Sequence, residues 1–150
     1  TREAGYAHYE ISNFALPGRR AIHNSGYWSG RPYLGLGPGA HSYVGGVRGS
    51  NPPDLAAYIA CGGRGVHQPE DEELSSRLND LLITSLRTSA GLDPAIVRRD
   101  YPAVMADEVL AEADALVRTG ELAVTAGGNL VIPEDKWLTS NTILLKLIIV

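Results

Sequence analysis

Within residues 19–28 the chain sets Arg19 and Arg20 just ahead of His23-Asn24-Ser25-Gly26-Tyr27-Trp28. An imidazole can ligate haem iron, aromatic faces can cover a planar ring, and guanidinium groups pair well with carboxylates such as propionates. The set therefore suits a flat anionic macrocycle. The same residues allow a plainer arrangement, in which His23 hydrogen-bonds a backbone carbonyl while Tyr27 and Trp28 fill the core beneath a loop.

A second group follows in Gly35-Leu36-Gly37-Pro38-Gly39-Ala40-His41-Ser42. It contains G-x-G but lacks the third glycine of a dinucleotide fingerprint, Pro38 interrupts it, and no amphipathic helix follows. Its glycines suit positive φ and close approach of the backbone, either to a ligand or within a tight turn. His8, Glu10 and Ser12 alternate along one face of an expected strand, where a histidine and an acid could move a proton, or where the polar edge of a sheet could simply face water. Cys61 sits among glycines without a second cysteine and reads as incidental. The histidines at 8, 23, 41 and 67 show no short ligand spacing for a metal.

Several elements must position these groups. Thr1 to Gly5 reads as the last turn of a helix stopped by glycine, and Ala7 to Ser12 has strand alternation. From Pro17 to Gly49 the density of Gly, Pro, Tyr and Arg predicts loops, short strands and turns, and its aromatic residues argue against disorder. Asn51-Pro52-Pro53-Asp54 precedes a short helix over Leu55–Ala60, and the glycines after Cys61 break it. Leu74, Leu78, Leu81, Leu82, Ile83 and Leu86 mark an amphipathic helix over Ser75 to Arg87. Asp93-Pro94 is an N-cap followed by proline at the first helical position. A further helix is expected over residues 103–119, ending at Gly120. A hairpin is expected over Glu121–Ile132, and one more helix within 137–150.

The chain has 150 residues, 44% hydrophobic content and a formal net charge of −4, enough for an ordinary core and without the clustered cations that nucleic acid or anionic membrane requires. The helix before the hairpin carries Asp107, Glu108, Glu112 and Asp114 against Arg118, and the hairpin has no Lys or Arg. DNA contact through that pair is disfavoured, because phosphate contacts need cations. One cysteine excludes an internal disulfide framework and an iron–sulfur cluster built from these thiolates alone. The apolar run Ile143–Val150 is too short to span a bilayer. A cytoplasmic protein without a membrane span and without nucleic-acid partners is expected. The opening residues lack an initiator Met and read as if the chain begins mid-protein.

Tyr9-Glu10-Ile11-Ser12-Asn13-Phe14-Ala15, the His-Asn-x-x-Tyr-Trp string at 23–28 and the glycine-rich block at 35–42 occur in this order. Together they resemble the C-terminal part of radical-SAM proteins of the oxygen-independent coproporphyrinogen III oxidase-like family, on its haem-chaperone branch. The motifs are specific within residues 8–45; the helical half matches in pattern and in short words such as Arg77-Leu78-Asn79. The resemblance implies an α+β chain in three parts. Residues 1–50 would be the end of a radical-SAM partial (β/α) barrel, 51–68 a linker with a short helix, and 69–150 a small helical, winged-helix-like C-terminal domain.

It further implies haem binding at His23, supported by Asn24, Tyr27 and Trp28. Gly37, Gly39, His41 and Ser42 would line the S-adenosylmethionine and substrate cavity. The 4Fe-4S cluster and S-adenosylmethionine would belong to the parent protein, since the family's Cys-x-x-x-Cys-x-x-Cys motif is absent here and this segment is not a complete catalyst. Haem or porphyrin and a haem-receiving protein are the implied partners. Two other readings stand beside haem chaperoning: oxidative decarboxylation of coproporphyrinogen III, and a non-catalytic helical protein-interaction module.

Overall fold

The computed structural model describes residues 1–64, 68–70 and 73–149. They form two compact units, Thr1–Ser29 together with Glu73–Val150, and Gly30–Glu72. The chain leaves the first unit after Ser29 and rejoins it at Glu73. Part of the expected linker, residues 65–67 with His67, lies outside the described residues, as does Val150.

A single 3₁₀ turn over Arg2–Ala4 stops at Gly5, whose φ of 79° is the left-handed cap expected of glycine. Strand β1 (Ala7–Glu10) is shorter than the alternation suggested. The chain turns at Ile11-Ser12 into β2 (Asn13–Ala15), giving an antiparallel hairpin with a register irregularity between His8 and Glu10. Helix α1 (Ile22–Trp28) follows. The sequence expectation for this stretch was loop and short strand, so α1 is a correction. Asn24, Ser25 and Gly26 are weak helix formers, and the helix is held instead by packing against a later helix of the same unit.

The second unit opens with irregular chain and then pairs β3 (His41–Val44) with β4 (Val47–Ser50) as an antiparallel hairpin turned by Gly45-Gly46. Helix α2 (Leu55–Ala60) has the expected bounds and is capped by Asp54, whose carboxylate accepts the Ala57 N–H at 2.9 Å. A two-residue strand, β5 (Gln68–Pro69), adds to β4.

The core of the first unit grows from α3 (Leu74–Leu86), where Leu78, Leu82 and Leu86 recur every four residues and are fully buried. Burial of each such leucine stabilises the fold by about 2 kcal/mol. Helix α4 (Pro94–Asp100) starts from Asp93, which accepts the Ala95 N–H at 2.8 Å. Helix α5 (Ala103–Arg118) buries Ala106, Val109, Leu110, Ala113 and Leu116 on one stripe. Strands β6 (Ala123–Val124) and β7 (Leu130–Val131) make the expected hairpin. A 3₁₀ segment over Glu134–Thr139 then leads into α6 (Ser140–Leu147), which packs against α3 and α5.

Two polar side chains close this core. Trp137 donates its indole N–H to Ile132 O at 2.7 Å, and Asn79 of α3 clasps the Ile149 backbone through both its amide nitrogen and its oxygen, at 2.8 and 3.0 Å. Among the described residues every strand pair is antiparallel. The architecture is thus mixed helix and strand, with none of the parallel pairs of a (β/α) barrel among the described residues.

Candidate functional site

Helix α1 presents its chemistry on two faces. His23 and Tyr27, four residues apart, share the outer face, as the helical period requires. Both are exposed. The Tyr27 hydroxyl lies 3.0 Å from His23 Nε2, and the rings meet edge to face with centroids 4.9 Å apart. Asn24 and Trp28 are half-buried. Ser25 Oγ and Trp28 Nε1 are out of solvent and have no hydrogen-bond partner among the described residues, so α1 turns two unsatisfied polar atoms inward.

The start of α1 is fixed from β1. Tyr9 is 5% exposed, and its hydroxyl accepts the Ala21 N–H at 3.3 Å. The Arg20 guanidinium lies over the Tyr9 ring, 5.2 Å from its centroid, a cation–π arrangement. Arg19 and Arg20 are both exposed beside the helix. The plainer expectation, with His23 bonded to a carbonyl and both aromatics buried under a loop, does not describe this geometry. Trp28 is partly covered, whereas Tyr27 is 42% exposed.

The polar stripe on β1 meets neither of its expectations. Ser12 is exposed in the turn, but His8 and Glu10 are drawn into the unit. Glu10 is 3% exposed and accepts hydrogen bonds from Asn13 Nδ2 and from the Ser12 N–H, the latter at 3.3 Å. The His8 ring is stacked on Phe14 at 4.0 Å and set edge-on to Trp137 at 4.2 Å. Its Nε2 lies 3.1 Å from Ile11 O, and its Nδ1 lies 3.2 Å from Glu134 Oε1. The guanidinium of Arg2 hydrogen-bonded to Glu134, with His8 as a lesser neighbour, holds the Glu134 carboxyl below the usual glutamate range. These contacts tie the hairpin to the 3₁₀ segment. Alternation at 8–12 signalled a strand but carried no sign of partners more than a hundred residues away.

In the second unit the glycine-rich block is folded on itself. Gly35 N–H donates to Ser42 Oγ at 2.9 Å, Gly37 N–H to the Tyr58 hydroxyl at 3.0 Å, and Gly39 N–H to Asn51 O at 3.1 Å. Asn51 also donates its side-chain amide to Gly37 O at 2.9 Å and its N–H to Ala40 O at 2.9 Å. Gly37 and Gly39 have φ of 108° and 69°. A Cβ at Gly35 would lie 2.1 Å from His41 O, so that glycine permits a backbone approach no side chain allows. Ser42 is 1% exposed, while His41 is exposed and its Nδ1 lies 3.6 Å from Glu70 Oε1. Asn51 and Tyr58, read from sequence as linker punctuation and a short helix, are what shape the block. It runs into strand β3, not into a helix N-terminus.

Thus His23, Asn24, Tyr27 and Trp28 come together on one helix, and Gly37, Gly39, His41 and Ser42 come together on one turn and strand of the other unit. Cys61 is exposed and its thiol donates to Tyr58 O at 3.3 Å. One thiol cannot hold a 4Fe-4S cluster. Among the described residues no group of three or more His, Cys, Asp or Glu side chains could hold a metal ion, and no helix is long and apolar enough to cross a membrane.

No established family model matches the sequence. The chain is 40% identical over 95 residues to the heme chaperone HemW of Synechocystis sp., covering 60% of this chain and 23% of that protein. It is 36% identical over 134 residues to the heme chaperone HemW of Bacillus subtilis, covering 80% of this chain and 34% of that one. The chain therefore spans between about a quarter and a third of the length of these relatives. Among solved structures, coproporphyrinogen III oxidase (HemN) from Escherichia coli, a radical-SAM enzyme, matches 98% of the chain and 38% of its own length with a TM-score of 0.66 at 17% identity, a likeness of fold.

Proposed function

We propose that this chain, a homologue of the haem-chaperone branch of the radical-SAM proteins, is the C-terminal portion of a protein that binds haem and passes it to a receiving protein in the cytoplasm. The observation that carries the proposal is the exposed imidazole of His23 on α1, beside Tyr27, in a chain 36% identical to a heme chaperone across 80% of its length. Haem is cargo in this reading, and His23 is its ligand on the chain. An exposed ring on a short helix lets a flat macrocycle approach without unfolding the core.

Tyr27 would shield one edge of the ring system, and Arg19 and Arg20 are placed just upstream to meet propionates. Asn24 and Trp28, both half-buried, would help to shape the pocket. The glycine-rich turn, with Gly37, Gly39, His41 and Ser42, would face the S-adenosylmethionine and substrate cavity of the whole protein. Its glycine N–H groups at 35, 37 and 39 are already bonded internally, so it would contribute shape more than backbone donors.

Residues 1–50 would complete the barrel region of the parent, 51–68 would link, and 69–150 would form the winged-helix-like domain. Its acidic α5 face disfavours nucleic acid. The cluster and its chemistry would come from parts of the parent beyond these residues, since the single Cys61 does not suit it. The fold likeness to coproporphyrinogen III oxidase leaves the enzymatic alternative to a direct assay.

The test is a ferric-haem titration of the full chain followed by its Soret absorption. Wild type should develop a saturable, shifted band and His23→Ala should lose it. An unchanged band in His23→Ala would remove His23 as the ligand.

A further inference from the structure

We infer that Tyr27 is a cap on His23, which must swing away before the imidazole can take iron. The inference rests on the reading of His23 as haem ligand and adds a residue that controls it. A histidine offers iron a lone pair from Nε2 or from Nδ1. On a helix the two are not equivalent. Nδ1 lies next to the atom that joins the ring to Cβ, and a porphyrin centred there would run into the backbone of α1. Nε2 is the outer nitrogen, and it is the one the Tyr27 hydroxyl occupies at 3.0 Å.

Either tautomer blocks Nε2. If the phenol donates, it consumes the Nε2 lone pair; if Nε2–H donates to the phenol oxygen, that nitrogen has no lone pair to give. The edge-to-face contact of the two rings, 4.9 Å between centroids at 79°, keeps the phenol in place. Both side chains are exposed, so the cap can open by a side-chain rotation, with nothing in the core disturbed.

Losing a hydrogen bond of this kind corresponds to about a two- to ten-fold difference in affinity. The cap sets how readily the chain accepts haem, and it re-forms when haem leaves. A carrier that must release its cargo gains from such a competitor.

The experiment is a ferric-haem titration of the full chain as wild type, Tyr27→Phe, His23→Ala and the double variant, read by Soret absorption and by stopped-flow binding rate. Tyr27→Phe keeps the ring and removes the hydroxyl. Tighter binding by about two- to ten-fold, with a band still lost in the double variant, supports the cap. Equal or weaker binding in Tyr27→Phe, with the band still lost in His23→Ala, overturns the cap and leaves His23 as ligand. A band that survives His23→Ala overturns both.

Discussion

The hydroxyl of Tyr9 accepts the N–H of Ala21 at 3.3 Å, so a side chain buried on β1 holds the residue from which the His23 helix starts. The hairpin and α1 are therefore one mechanical piece. It is seated further by Ile11 N–H on Arg87 O at 3.1 Å and Ser89 N–H on Tyr9 O at 3.0 Å.

Replacing Tyr9 by Phe removes that one bond and keeps the packing. The expected cost is about 0.5–1.5 kcal/mol, concentrated at α1. Amide hydrogen exchange of residues 22–28 should quicken while that of α3 stays unchanged. Equal protection in both proteins would show that α1 is not anchored from β1.

Acid should loosen the same piece through Glu134. Its carboxyl is held below the usual range by Arg2 first and by His8 second. A depressed carboxylate contributes stability that is present above its unfolded value and is lost as pH falls through the folded one. Wild type should thus be more stable than Glu134→Gln at neutral pH, with the two thermal midpoints converging in acid below the ordinary glutamate range. A gap that stayed constant with pH would show that the Arg2 and His8 contacts do not act through charge.

Glycine at 91 and at 128 should respond differently to alanine. Both have positive φ, at 74° and 88°, but a Cβ at Gly91 would lie 2.2 Å from Leu130 O, while Gly128 has open space. Gly128→Ala should cost about 1–2 kcal/mol from backbone conformation. Gly91→Ala should cost more and break the paired Leu92 and Leu130 backbone bonds, both 2.8 Å. Urea midpoints compare them directly, and equal losses would contradict the close approach.

Leucines should divide just as sharply. Leu82 is fully buried and Leu138 is 101% exposed. Leu82→Ala should cost about 2–5 kcal/mol, whereas Leu138→Ala should stay within about 0.5 kcal/mol. Chemical denaturation of both variants checks this, and a large loss at Leu138 would mean that it is packed.

Much of the helical half was legible because its signals are local. Asp54 and Asp93 cap the helices expected after them, the leucine period of α3 buries Leu78, Leu82 and Leu86 while Leu74 at its start stays exposed, and the glycines at 127 and 128 turn the expected hairpin. What was hidden depends on contacts between distant residues. Helix α1 has no strong helix formers and no capping side chain, so only its packing and the Tyr9 bond reveal it. His8 was placed on a strand correctly, yet nothing near it in sequence pointed to Glu134 or Trp137. Asn51 read as punctuation because a side chain that shapes a turn fourteen residues away leaves no periodic trace. At the candidate site, the residue types on α1 left a haem ligand and a plainer structural role both open, and the hydrogen-bond contact between His23 and Tyr27 became visible only when both fell on one helical face.

The most direct measurement is pulsed electron paramagnetic resonance of ferric haem bound to the full chain with its histidines labelled with ¹⁵N. Hyperfine coupling to one imidazole ¹⁵N in wild type, absent in His23→Ala, is the result expected of His23 as ligand. The same coupling persisting in His23→Ala would assign the iron to another histidine and contradict the central claim.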